Sequence, residues 1–209
     1  NPAHPHTYPF AERFRVLAAY LPGDEAFNET GLRLSKLFAL PGDAALTASV
    51  DWLQGDTFRR GPLAPGHDHE DEADEPTRPA ILGRLGAFFP AGEQSGLEFG
   101  VSGTHGTNHV EAAARTTVLG ADAKAKLWTS PRSYLLLQAE ALRLDRQDAA
   151  YVSLVGAWER FDAEGWGWYA FADYNFSPRW NLGASYERYE RDDADGVRDQ
   201  AFGLFAGLS

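Results

Sequence analysis

Side chains alternate strictly on both sides of the turn Ser177-Pro178-Arg179. Before it, Trp166, Trp168, Ala170, Ala172, Tyr174 and Phe176 fall on one face. Gly167, Tyr169, Asp173 and Asn175 fall on the other, with Phe171 as the apolar exception. After it, Trp180, Leu182, Ala184 and Tyr186 oppose Asn181, Gly183, Ser185 and Glu187. A period of two is the signature of a strand. A soluble sheet turns its polar face to water and hides its aromatics. Here aromatics crowd the strand ends, small and aliphatic residues fill the middle, and the opposite face carries Asp, Asn and Glu. That is the layout of a hairpin in a membrane-spanning barrel, with an apolar band between aromatic girdles and a wet lumen.

The same two-faced split recurs along the chain. Leu46, Ala48, Val50 and Trp52 oppose Thr47, Ser49 and Asp51, and Leu97, Phe99 and Val101 oppose Glu98, Gly100 and Ser102. Leu135, Leu137, Ala139 and Ala141 oppose Tyr134, Gln138 and Glu140, and Phe202, Leu204, Ala206 and Leu208 oppose Gly203 and Gly207. Strands are predicted over 29–39, 43–54, 78–90, 95–104, 112–129, 133–145, 163–176, 179–190 and 198–208. Residues 112–126 are Ala-rich and have helical propensity. The alternation of Asp122, Lys124 and Lys126 with Ala121, Ala123, Ala125 and Leu127 assigns them to a strand instead.

Turn formers at 41–43, 90–93, 130–132 and 177–179 make four tight connections. Long polar loops are predicted at 55–77, 105–111 and 146–162, with a shorter one near 191–197. Residues 1–28, with Pro2, Pro5, Pro9 and Pro22, read as an irregular loop or a short helix near Ala11–Tyr20. The fold class expected is all-β: an antiparallel transmembrane β-barrel with about nine strands visible over 29–209. Bacterial single-chain barrels use even strand numbers. Strands outside these residues, or one miscounted strand, therefore follow from the odd total.

Composition narrows the class. The 209 residues include no Cys and no Met, so thiolate metal sites and Cys nucleophiles are excluded. An encoded chain begins with Met, so Asn1 is expected to mark a processed or shortened product. No run of 18 apolar residues is present, which rules out an α-helical span. The net charge of −11 argues against a nucleic-acid partner. Outer-membrane lipid and small solutes or metal ions are the expected partners; no feature specifies an oligomeric state.

The run Asn1-Pro2-Ala3-His4-Pro5-His6, Phe10, and then Glu29 through Leu37, resembles a family of proteobacterial outer-membrane proteins. These are labelled zinc-regulated TonB-dependent outer membrane receptors or porin-like proteins. Leu119 to Asp122 with Lys124 and Lys126 before Trp128, Leu137 to Glu140, Gly167 to Ala170, and Ser177 to Gly183 extend the similarity. The resemblance implies a bacterial outer-membrane location, a passive porin-like barrel and additional strands before Asn1.

Candidate chemistry lies in the histidines and the lumen. The six histidines fall in three pairs: His4 with His6, His67 with His69, and His105 with His109. Residues 67–75 combine two imidazoles with six carboxylates. That mixture suits weakly held zinc or another divalent cation at a pore mouth. It suits equally a solvated acidic loop tip. The predicted lumen lining is Arg33, Asp51, Arg84, Glu98, Asp122, Lys124, Lys126, Glu140, Asp173 and Glu187. Mixed charges serve either as a selectivity lining or as ion pairs closing a narrow barrel.

No enzyme is expected, because Ser102 near His105 lacks a nucleophile elbow. The functional expectation is an outer-membrane channel or uptake protein, linked to zinc or other divalent cations. A closed structural or adhesion barrel is one alternative. A soluble lipocalin-like barrel binding an apolar ligand, with Trp166, Trp168 and Trp180 buried, is the other.

Overall fold

The computed structural model describes residues 13–22, 29–60, 77–152, 154, 156–192 and 196–208. One short helix, α1 (Arg15–Tyr20), precedes nine strands. These are β1 (Gly31–Ala39), β2 (Ala45–Leu53), β3 (Ala80–Pro90), β4 (Gly96–His109), β5 (Ala114–Ser130), β6 (Ser133–Val152), β7 (Ala157–Asn175), β8 (Trp180–Glu190) and β9 (Arg198–Leu208). They form a single antiparallel sheet in the order of the sequence, each strand paired with its neighbours in the chain. β1 and β9 are its two edges, so the sheet is not closed on itself among the described residues.

The registers sort the side chains into two faces. Leu34 lies opposite Val50, Ala87 opposite Phe99, Ala123 opposite Ala139, and Leu182 opposite Ala206. These belong to the outer face. The inner face carries Arg33 opposite Asp51, Asp122 opposite Glu140, and Tyr169 opposite Glu187. β5 is a strand throughout despite its Ala-rich sequence, because ladders on both sides pair its backbone.

Four short turns lie at one end. At the first, Gly42 (φ 71°) and Asp43 (φ 59°) adopt the left-handed conformation, and Leu40 N–H donates to the Ala44 carbonyl at 2.8 Å. At the turn between β7 and β8, the Ser177 hydroxyl accepts from the backbone N–H groups of Arg179 and Trp180 at 3.3 and 3.1 Å. That is how a Ser-Pro turn satisfies its own amides.

The opposite end differs from the sequence expectation in two places. The loop expected at 105–111 is largely strand, since β4 runs to His109 and the turn is confined to 110–113. The loop expected at 146–162 is strand to Val152 and again from Ala157. Pairs from Arg146↔Ala163 to Val152↔Ala157 extend this hairpin. Its polar composition masked the pairing, because charged residues such as Arg146, Asp148, Arg160 and Asp162 fall on both faces of this hairpin. The loop expected at 55–77 begins with a 3-10 turn, Asp56–Phe58, and its residues 61–76 lie outside the description.

The main core is on the inner face, where α1 docks. Val16, Leu17 and Tyr20 from the helix, with Phe14 before it, pack on Val118, Leu142, Leu144, Tyr169 and Phe171. The helix has six residues and no side-chain cap, too little to persist alone in water. Burial holds it: Val16 is 0% and Tyr20 1% exposed. Each such side chain contributes roughly 1.5–3 kcal/mol on leaving water. Gly165 and Gly167 give it room. A Cβ on Gly165 would lie 2.6 Å from the Tyr20 hydroxyl, and one on Gly167 would lie 2.8 Å from a Val16 methyl.

Candidate functional site on the inner face

All ten residues expected to line a lumen lie on the face that receives α1, as the registers require. Four of them form ion pairs. Arg33 grips Asp51 with two bonds of 2.6 and 2.7 Å. Arg84 grips Asp122, two strands away, with bonds of 2.6 and 2.9 Å. Gly100 lies between them, and a Cβ there would come within 2.5 Å of the Asp122 carboxylate. Bidentate pairs of this kind are the strong form of the arginine–carboxylate contact.

One row across the sheet holds Gly100, Asp122, Glu140, Tyr169 and Glu187 on successive strands. Its three carboxylates have different partners. Asp122 has Arg84. Glu187, 6% exposed, accepts the Val16 backbone N–H at 3.2 Å, where α1 begins. Glu140 accepts the Tyr169 hydroxyl at 2.9 Å, and that hydroxyl accepts from the Gln138 amide at 3.1 Å. Phe14 stacks on Tyr169 with ring centres 4.0 Å apart.

One row further toward the short turns lie Glu98, Lys124 and Gln138. Beyond it, the Lys126 ammonium lies 5.1 and 4.2 Å from the ring centres of Trp128 and Tyr134. Asp173 accepts from the side-chain amides of Asn175 and Asn181 at 2.9 and 2.7 Å.

Helix α1 climbs this face from Phe14, over Tyr169 and Phe171, to Tyr20, whose hydroxyl donates to the Glu190 carbonyl at 2.7 Å. Burial, the largest influence on it, pushes the Tyr20 phenol above its ordinary range. The helix thus occupies the half of the inner face nearer the longer connections. Nearby, Arg146 is 3% exposed and joins Asp148 and Asp192 at 2.8 and 2.7 Å. Arg60 adds a contact of 3.7 Å to Asp148. Burial, and then the neighbouring Arg146, hold the Arg60 guanidinium below its usual value.

Sequence reasoning placed a short helix near this position without assigning it to the inner face. The signal was present in apolar positions on that face, Val118, Leu136, Leu142, Leu144, Phe171 and Phe205 among them, of which only Phe171 stood out.

The histidines divide differently. His105 is exposed on the outer face, with Nδ1 2.8 Å from the Thr117 hydroxyl. His109 is buried, its ring centre 4.1 Å from that of Trp158, and its Nδ1 accepts the Ala112 N–H at 3.2 Å. Each member of this pair has its own environment. His4, His6, His67 and His69 lie outside the described residues. Among the described residues, no three His, Asp or Glu side chains converge as a metal site.

No family model matches the chain, and no solved structure does. An uncharacterized protein of Aquifex aeolicus is 27% identical over 205 residues, covering 92% of this chain. The chain spans 42% of that relative's length.

Proposed function

We propose that these nine strands are part of the wall of a transmembrane β-barrel in a bacterial outer membrane, serving as a porin-like channel or uptake protein. One observation carries the reading. Leu34 is 68% exposed, Val101 53%, Leu182 58% and Leu204 74%, and all belong to one face of the sheet. Large apolar side chains in such number are costly against water and at ease against lipid. Trp166 and Trp180, 48% and 50% exposed on that same face, speak against the lipocalin-like alternative, which requires them inside.

β1 and β9 run in the same direction, as the ends of any nine-stranded meander must. Closing the wall with antiparallel neighbours throughout therefore takes an odd number of further strands. Outer-membrane lipid covers the outer face in this reading, small solutes pass on the inner face, and the His-acid run at 67–75 gathers zinc or another divalent cation at the mouth. The sequence motifs that resemble porin-like outer-membrane proteins point to the same location.

The closed structural barrel is the second reading, and the docked α1 favours it by filling part of the inner face. Single-channel recording of the full-length protein in planar bilayers separates the two. Discrete conductance steps are expected. Insertion without steps sinks the channel, and a band that does not shift on gels after boiling sinks the barrel.

A further inference from the structure

We infer that Glu140 is the side chain that gives the lumen a preference for cations. The inference rests on the channel reading and adds the class of solute and the residue that selects it. Where α1 begins, it covers Glu187 and the Tyr169 ring, and the inner faces of β3 to β6 beside it stay uncovered at that level. The charges there are Arg84, Glu98, Asp122, Lys124, Lys126 and Glu140. Arg84 and Asp122 cancel as a bidentate pair. Glu98 and Lys124, of opposite charge, stand opposite each other on neighbouring strands, and Lys126 is drawn to the Trp128 and Tyr134 rings at the short-turn end.

Glu140 differs from these. Among the described residues no cation forms an ion pair with it, and its hydrogen-bond donor is a neutral phenol. It is half-buried rather than sealed. Tyr169 is itself fixed from two sides, by the Gln138 amide and by the Phe14 ring. A carboxylate aimed by a rigid phenol, at the level where a helix narrows the path, attracts cations and repels anions. Gly120, on the strand between them, leaves Ser102 of β4 and Glu140 of β6 facing the same open space on the inner face. A Cβ there would lie 2.8 Å from the Ser102 hydroxyl and 3.6 Å from the Glu140 carboxylate. Ser102 and Glu140 are therefore near neighbours across Gly120 on one wall.

The test is the reversal potential of the full-length protein in planar bilayers under a potassium chloride gradient. The wild type is expected to prefer potassium. Glu140→Gln should lower the ratio of cation to anion permeability at least roughly twofold, and Glu140→Asp should keep most of it. Ser102→Lys leaves the carboxylate in place and sets an ammonium beside it, so it must lower the ratio in the same direction. Glu164→Gln, at an exposed carboxylate near the other end, should change nothing. Absence of current from the wild type would defeat the channel reading itself. Current with a wild-type reversal potential, in whichever of Glu140→Gln and Ser102→Lys inserts, would overturn the role of Glu140 and leave the channel standing.

Discussion

Replacing Phe14 with alanine should release α1 from the sheet. Phe14 is 6% exposed, stacks on Tyr169 at 4.0 Å and reaches Phe171 at 6.3 Å. Truncating a buried aromatic of this kind costs about 3–5 kcal/mol. Four side chains anchor the segment, each giving roughly 1.5–3 kcal/mol. Ordering each backbone residue costs about 1–2 kcal/mol, so most of that gain is already spent. The loss of one anchor therefore exceeds the surplus, and the docked form should become the minority. Trypsin reads this directly, because the bonds after Arg13 and Arg15 flank Phe14 and cannot enter a protease cleft while the helix lies on β6–β8. Rapid cleavage at these two bonds is expected in Phe14→Ala and slow cleavage in the wild type, with the strands intact in both. If Phe14→Ala resists trypsin as well as the wild type, the helix is held by something other than these anchors.

Three further outcomes follow from other parts of the structure. Leu182→Arg, on the outer face, should destabilise the folded protein in lipid by about 2–4 kcal/mol in urea titrations, and Ser185→Arg, on the inner face, by much less; equal costs would remove the lipid from the argument. Burial raises the Tyr20 phenol, so its contribution to docking is fully present below the ordinary tyrosine value of about 10 and is lost as pH climbs beyond it. Ultraviolet difference spectra should show tyrosine ionising late, and Tyr20→Phe should reduce the amplitude of that late phase by one residue. Calorimetric titration with zinc should give heat that falls as pH drops through about 6.5, and His67→Ala/His69→Ala should reduce it; identical heats would leave residues 67–75 as a solvated loop.

The strands were legible because burial on a two-sided wall writes a period of two into the sequence. Leu97, Phe99 and Val101 against Glu98, Gly100 and Ser102 was sufficient to fix β4 and its facing. The strand ends were not, because Asp148, Arg160 and Asp162 put charge on both faces and leave no alternation to read. That the ten charged positions share one face followed from the alternation alone, since residues two apart on a strand point the same way. Their pairings did not follow. Arg84 reaches Asp122 across Gly100, a diagonal contact that depends on a missing side chain in the intervening strand. The helix was half legible: its span could be located, but its docking site is distant in sequence and is recorded only as apolar residues out of place on a polar face.

The neighbour-by-neighbour order of the sheet also sets how the molecule assembles. Every strand pairs with the one made just before it, so each ladder except β2–β3, joined through residues 54–79, closes a short loop, and short loops close fast. The β6–β7 hairpin, with the longest ladder and a connection confined to 153–156, is the natural first step. Growth then proceeds outward in both directions and reaches β1 and β9 last. The contact between Val16 and Glu187 spans 171 positions of the chain, and the site it needs exists only once β6, β7 and β8 lie side by side. The helix is therefore a late arrival, and its docking reports that the centre of the sheet has already formed.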